Sequence, residues 1–134
     1  MTIEWDKNFS VGIKRFDSQH SRLFDIISKL GEAIHTNVER ERTFAIIKTL
    51  FNESIIHFET EEKALKKYNY PDIEQMHEAH NEFAETVHNL MGKTNNASKE
   101  YLVQTFNTLV EWMKTHTTEE DKKYSNFLLN QGMS

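Results

Sequence analysis

Residues 47–65, IKTLFNESIIHFETEEKAL, decide the fold. Ile47, Leu50, Phe51, Ile55, Phe58 and Leu65 recur at three- and four-residue intervals, the spacing of one face of an α-helix. At about 100° per residue, Glu61 falls almost at the middle of this apolar stripe, and His57 lies one turn earlier on the same side. A carboxylate buried without a partner is strongly unfavourable, so Glu61 requires a cation, a metal or a hydrogen-bond network facing it. The segment reads as one helix of an all-helical core whose inner face is built to hold charge.

The rest of the chain supplies the neighbours. Leu23, Phe24, Ile27, Leu30 and Ile34 form a second helical stripe, which Asp17 or Ser18 can cap and which runs to about residue 37. The polar stretch NVERER at 37–42 separates it from the helix of residues 47–65. Pro71, the only proline, fits the first turn of a third helix that continues through Phe83, Val87 and Met91. GKTNNAS at 92–98 is a loop, and Leu102, Phe106, Leu109, Val110 and Met113 define the fourth helix. Residues 3–16, with Ile3, Trp5, Phe9, Val11, Ile13 and Phe16, lack a sustained stripe and read as an extended N-terminal arm. Tyr124 to Leu129 forms a short C-terminal helix expected to fold back. Four helices with short connections predict an all-α, antiparallel up-down-up-down four-helix bundle, with residues 1–134 as a single domain.

Composition narrows the function. The net charge of −5, with Lys and Arg dispersed among Asp and Glu, offers no basic footprint for nucleic acid or anionic lipid. The chain has no cysteine, so thiolate metal sites, iron–sulfur clusters and thiol chemistry are excluded. With no signal-like N-terminus and no membrane-length apolar run, a soluble cytoplasmic protein is expected. Any metal must rest on nitrogen and oxygen.

Those donors are abundant on the inward faces. His20 aligns with Leu23, Ile27 and Ile34, His80 aligns with Phe83 and Val87, and His116 lies at the edge of the fourth stripe. His57 and Glu61 are four residues apart, and His116 and Asp121 five. One inward imidazole is commonly a hydrogen-bonded core residue. Four helices each supplying one, with two carboxylates beside them, suit a pair of metal ions bridged by Glu and Asp. His35 and His88 fall off the stripes and read as solvent-facing or partly buried residues. The Glu-x-x-His pairs Glu32/His35, Glu74/His77 and Glu85/His88 do not make a ferritin-like site, because Glu32 points outward and the other two pairs share one helix.

An ordered set of motifs carries a resemblance over nearly the whole chain: WDKNFSVGI at 5–13, DSQHSRLF at 17–24, HFETEE at 57–62, YPD at 70–72, HNEF at 80–83 and WMKTHTTEED at 112–121. In these the chain resembles the hemerythrin family, in particular the single-domain bacterial hemerythrins. The resemblance implies two iron ions with an oxo or hydroxo bridge and reversible binding of O2. It implies that His20 and His57 hold the iron that takes O2, that Glu61 and Asp121 bridge, and that His80 and His116 hold the second iron. It also implies that Trp112, Met113 and Thr117 lie at the O2 site, where Thr117 places a hydroxyl in a wall that is typically apolar.

The chain departs from the pattern on the third helix. The family places a third imidazole four residues before His80, where this chain has Met76, with His77 as the next residue. His77 as replacement ligand, an open or water-filled position, and the soft thioether of Met76 are the three ways to complete that iron. The leading functional expectation is O2 storage, delivery or scavenging without catalysis. An O2 or redox sensor and a diiron oxidase or peroxidase are the alternatives. A sensor needs an output partner and an oxidase an open site, while a metal-free structural bundle leaves Glu61 unexplained. No protein partner is legible.

Overall fold

The computed structural model describes residues 4–134, so the expectation for Ile3 lies outside the described residues. Helices α1 (Lys14–His35), α2 (Arg40–Lys67), α3 (Ile73–Lys93) and α4 (Lys99–Thr115) carry the bundle. One turn of π-helix, His116–Glu120, leads into α5 (Asp121–Asn130), and no strand occurs among the described residues. Helix α1 packs on α2 and α4, α2 on α3, and α3 on α4, which closes the four into a ring of neighbours.

Each helix buries most of the stripe written in its sequence, with Phe51, Ile55, Met91 and Val110 only half-buried at the stripe edges. On α3 the buried residues are Met76, His80, Phe83, Val87 and Leu90. On α4 they are Leu102, Phe106, Leu109 and Met113, and His116 follows at the same spacing. The ends are shaped by backbone chemistry. Asn37 and Asn69 take positive φ just past α1 and α2, and Val38 N–H and Tyr70 N–H reach back to the carbonyls of Ala33 and Leu65. Asparagine tolerates this left-handed conformation, which satisfies the last carbonyls of a helix and turns the chain sharply. The α3–α4 loop is held by Arg40, whose Nη1 donates to the carbonyls of Thr94 (2.7 Å) and Ala97 (2.8 Å).

Three sequence expectations are corrected. Helix α1 begins at Lys14, earlier than Asp17 or Ser18, because its buried stripe already includes Ile13 and Phe16. The Asp17 carboxylate does not cap the helix; it accepts from Val11 N–H (2.8 Å) and Ser10 Oγ (2.6 Å) and ties the arm to the first turn. Pro71 precedes α3 in the turn, and Asp72 is the N-cap. The C-terminal helix is present but continues α4 and does not fold back, since Thr115, His116, Glu120 and Asp121 all keep right-handed helical dihedrals. The arm itself is irregular, with one turn of 3-10 helix at Lys7–Phe9 and a bend at Gly12, which takes positive φ.

The apolar core falls into two clusters. The larger runs from Leu23 and Phe24 through Ile47, Phe83 and Phe106 to Met113. The smaller joins Val11, Ile13 and Phe16 to Leu65, Met76, Tyr124 and Leu128. His20, His57, Glu61, His80, His116 and Asp121 are buried polar residues outside both clusters.

Candidate metal centre

Helices α1, α2 and α3 and the π-helical turn with the start of α5 send one or two polar side chains each to one buried place. Glu61 is fully buried and its two oxygens face different partners. Oε2 lies 3.0 Å from His57 Nε2 and 3.4 Å from His20 Nε2, and Oε1 lies 3.1 Å from His80 Nε2. Asp121 divides in the same way: Oδ2 is 3.0 Å from His20 Nε2 and Oδ1 is 2.9 Å from His116 Nε2. Two sets of donors result. His20 and His57 share one oxygen from the carboxylates' near sides, and His80 and His116 face the other oxygens.

The outer nitrogens are held by hydrogen bonds that fix how the inner ones point. His57 Nδ1 lies 2.5 Å from Gln19 Oε1, and a carbonyl oxygen can only accept, so Nδ1 carries the proton. Burial lowers the His57 pKa, which keeps the ring neutral, and Nε2 presents a lone pair to Glu61. His80 Nδ1 donates to Glu62 Oε2 at 2.9 Å. The rings are also clamped by stacking: His80 on Phe58 at 4.0 Å between centroids and His116 on Trp112 at 4.3 Å. Tyr124, buried at the base, donates its hydroxyl to Glu61 Oε2.

These atoms suit a cation better than one another. Glu61 Oε1, His80 Nε2, His116 Nε2 and both Asp121 oxygens are buried without a hydrogen bond, although their neighbours stand 2.9 to 3.1 Å away. Two donors bound to one ion at about 2.1 Å and at right angles lie about 3 Å apart. His20, His57 and Glu61 form one compact group able to hold an ion, and Glu61, His80 and His116 form another. Donor chemistry, burial and spacing all fit two ions with Glu61 and Asp121 between them.

Electrostatics point the same way. Burial opposes charge on His20, but Asp121 and Glu61 outweigh it and raise its pKa to about 10. At His80 burial is likewise overcome by Glu61 and Glu62, which raise the pKa to about 9. Burial works to raise the Glu61 and Asp121 pKa values, yet the surrounding imidazoles hold both below their ordinary range, Glu61 well below. Without metal, protons on His20 and His80 balance the two buried carboxylates.

The sequence-predicted residues do not all arrive. His20, His57, Glu61, His80, His116 and Asp121 come together. His77 does not: its side chain is 55 % exposed, with Nδ1 2.5 Å from Glu62 Oε1 and Nε2 3.2 Å from Asn81 Nδ2. One residue of helix is about 100°, and that rotation carries His77 off the face that holds Met76 and His80. Met113 and Thr117 are buried, and Thr117 Oγ1 has no hydrogen-bond partner. Trp112, stacked on His116, lines a cleft of about 340 Å³ with Met76, Ala79 and His116. Gln19, Glu62 and Tyr124 were not singled out from the sequence. Tyr124 alone had a signal there, because it lies one helical turn beyond Asp121. His35 and His88 are exposed, as their off-stripe positions predict.

Known proteins share this architecture. The family model described as hemerythrin HHE cation binding domain matches residues 11–128. A bacteriohemerythrin of Clostridium acetobutylicum is 26 % identical over 124 residues, covering 90 % of this chain and 96 % of that protein. A myohemerythrin of Riftia pachyptila is also 26 % identical over 124 residues, with 92 % of each chain covered. A crystal structure of wild-type hemerythrin superposes with a TM-score of 0.85 at 22 % identity, over 96 % of this chain and 98 % of that one. This chain belongs to the hemerythrin family.

Proposed function

We propose that this protein holds two iron ions and binds O2 reversibly, as a carrier or store and not as an enzyme. The observation that carries this reading is the division of the Glu61 and Asp121 oxygens between two pairs of imidazoles. Family membership and the names of the relatives support it. Bound iron supplies the electrons and the coordination position that O2 requires.

The chain's own residues supply the setting. His57 is held neutral and oriented by Gln19, ready to coordinate without losing a proton. Tyr124 fixes the Glu61 carboxylate from below. Met113 and Thr117 sit in the buried wall next to His116 and exclude bulk water, and the unpaired Thr117 hydroxyl is the one polar group they bring. Among the described residues no helix is long and apolar enough to cross a membrane. The cleft beside Met76 favours a second reading, a diiron oxidase or peroxidase that admits small reactants.

Optical spectroscopy separates the two. The ferrous-loaded protein is exposed to O2 and then returned to an oxygen-free atmosphere through several cycles. Absorption bands that appear and vanish with each cycle are expected; a single irreversible oxidation would favour the enzyme.

A further inference from the structure

The His80 side of the centre differs from what the family pattern implies, and a surface cleft lies beside the difference. Met76 stands where a third imidazole would be and is 7 % exposed, with its side chain in the apolar cluster of Leu65, Tyr124 and Leu128. A thioether is a soft, weak donor for non-haem iron. His77 cannot substitute in this arrangement, since Glu62 and Asn81 engage both of its ring nitrogens at the surface. Two imidazoles therefore remain on this side, His80 and His116.

The cleft lies against the same residues. Met76 and His116 form buried parts of its lining, so the solvent-connected space touches both the substituted position and a candidate ligand whose Nε2 has no hydrogen-bond partner. Tyr70, Gln75 and Lys123 line it with a hydroxyl, an amide and an ammonium group, all able to donate to an anion. Asp72 and Glu120 also line it, Glu120 Oε1 standing 3.7 Å from Lys123 Nζ, and two carboxylates against one ammonium weaken binding of any anion and disfavour multiply charged ones most.

We propose that the ion held by His80 and His116 lacks a third imidazole and is open toward this cleft, where it takes a small monoanion independently of the O2 position beside His20 and His57. The proposal rests on the diiron reading above. It assigns the Met76 substitution a consequence: an additional ligand-binding position on the iron that the family pattern would close with histidine.

The test is an azide titration of the oxidised, iron-loaded protein, followed by charge-transfer absorption and by the infrared stretch of bound azide. Wild type is expected to bind two azides per chain with two resolved stretches. Met76→Leu, which keeps the packing and removes the sulfur, is expected to behave as wild type. Met76→His is expected to bind one azide and to lose one of the two stretches. A single azide in wild type, with the same stretch in Met76→His, would overturn the proposal. So would a sulfur neighbour of iron in X-ray absorption that disappears in Met76→Leu. Iron analysis of the same samples distinguishes the two failures: two irons with one azide overturns only this proposal, and fewer than two irons overturns the diiron reading as well.

Discussion

His116 and Asp121 are joined twice, by a backbone hydrogen bond from Asp121 N–H to the His116 carbonyl and by a 2.9 Å approach of Nε2 to Oδ1. In a regular α-helix five residues rotate the chain about 500°, which would leave these side chains about 140° apart. The turn of π-helix removes most of that offset and places both on the inner face. Such turns occur mostly as single interruptions of α-helices, frequently at functional sites.

Asp121→Asn keeps the shape of the side chain and removes its charge. His20 loses its main counterion, and its pKa should fall from about 10 toward its ordinary value of 6.5. NMR titration of the metal-free variant checks this, and an unchanged His20 pKa would show that Asp121 is not its principal partner.

Tyr124→Phe removes the hydroxyl that donates to Glu61 while leaving the ring packed between Phe16 and Leu128. Hydrogen bonds to a charged group contribute about 1.5–3 kcal/mol, so the metal-free variant should be less stable by that amount in urea. A loss smaller than about 0.5 kcal/mol would mean that this contact contributes little.

Metal binding should release protons and strengthen as pH rises. His20 and His80 have raised pKa values, about 10 and about 9 against an ordinary 6.5. Their contribution to metal-free stability is therefore complete below pH 6.5 and is lost as pH rises through 9 to 10. Glu61 and Asp121 are lowered, so their contribution is present above their ordinary values of 4.5 and 3.8 and is lost as pH falls through the lower folded values. At pH 7 a ligating imidazole must give up its proton, and calorimetry in buffers of different ionisation enthalpy should find about two protons released per chain on loading. Heats independent of the buffer would contradict this.

The stripes made the four helices and four of the inward polar residues legible from sequence, because a buried helix face must repeat every three or four residues and His20, His57, Glu61 and His80 occupy that repeat. Asp121 was reachable through its short distance from His116 and through the family motif but not through a stripe, since its place on the inner face depends on a π turn that periodicity does not reveal. The same limit applies to the start of α1: an acidic residue near a helix start reads as a cap, and only the structure shows Asp17 holding Ser10 and Val11 instead. Gln19 and Glu62 sit beside ligands in sequence but act across helices, on His57 and His80, which no local pattern encodes.

His77 provides a contrast with the buried set. Because its ring is exposed and engaged by Glu62, His77→Ala should retain the native iron content, whereas His80→Ala should lose iron. Metal analysis after identical anaerobic loading reads both. Loss of iron in His77→Ala would return that residue to the ligand set.

The most direct test of the divided carboxylates is anomalous diffraction at the iron edge from crystals of the loaded protein. Two iron peaks are expected, one beside Nε2 of His20 and His57 and one beside Nε2 of His80 and His116, with oxygens of both Glu61 and Asp121 between them. A single peak, or two peaks that do not share Glu61 and Asp121, would contradict the diiron assignment.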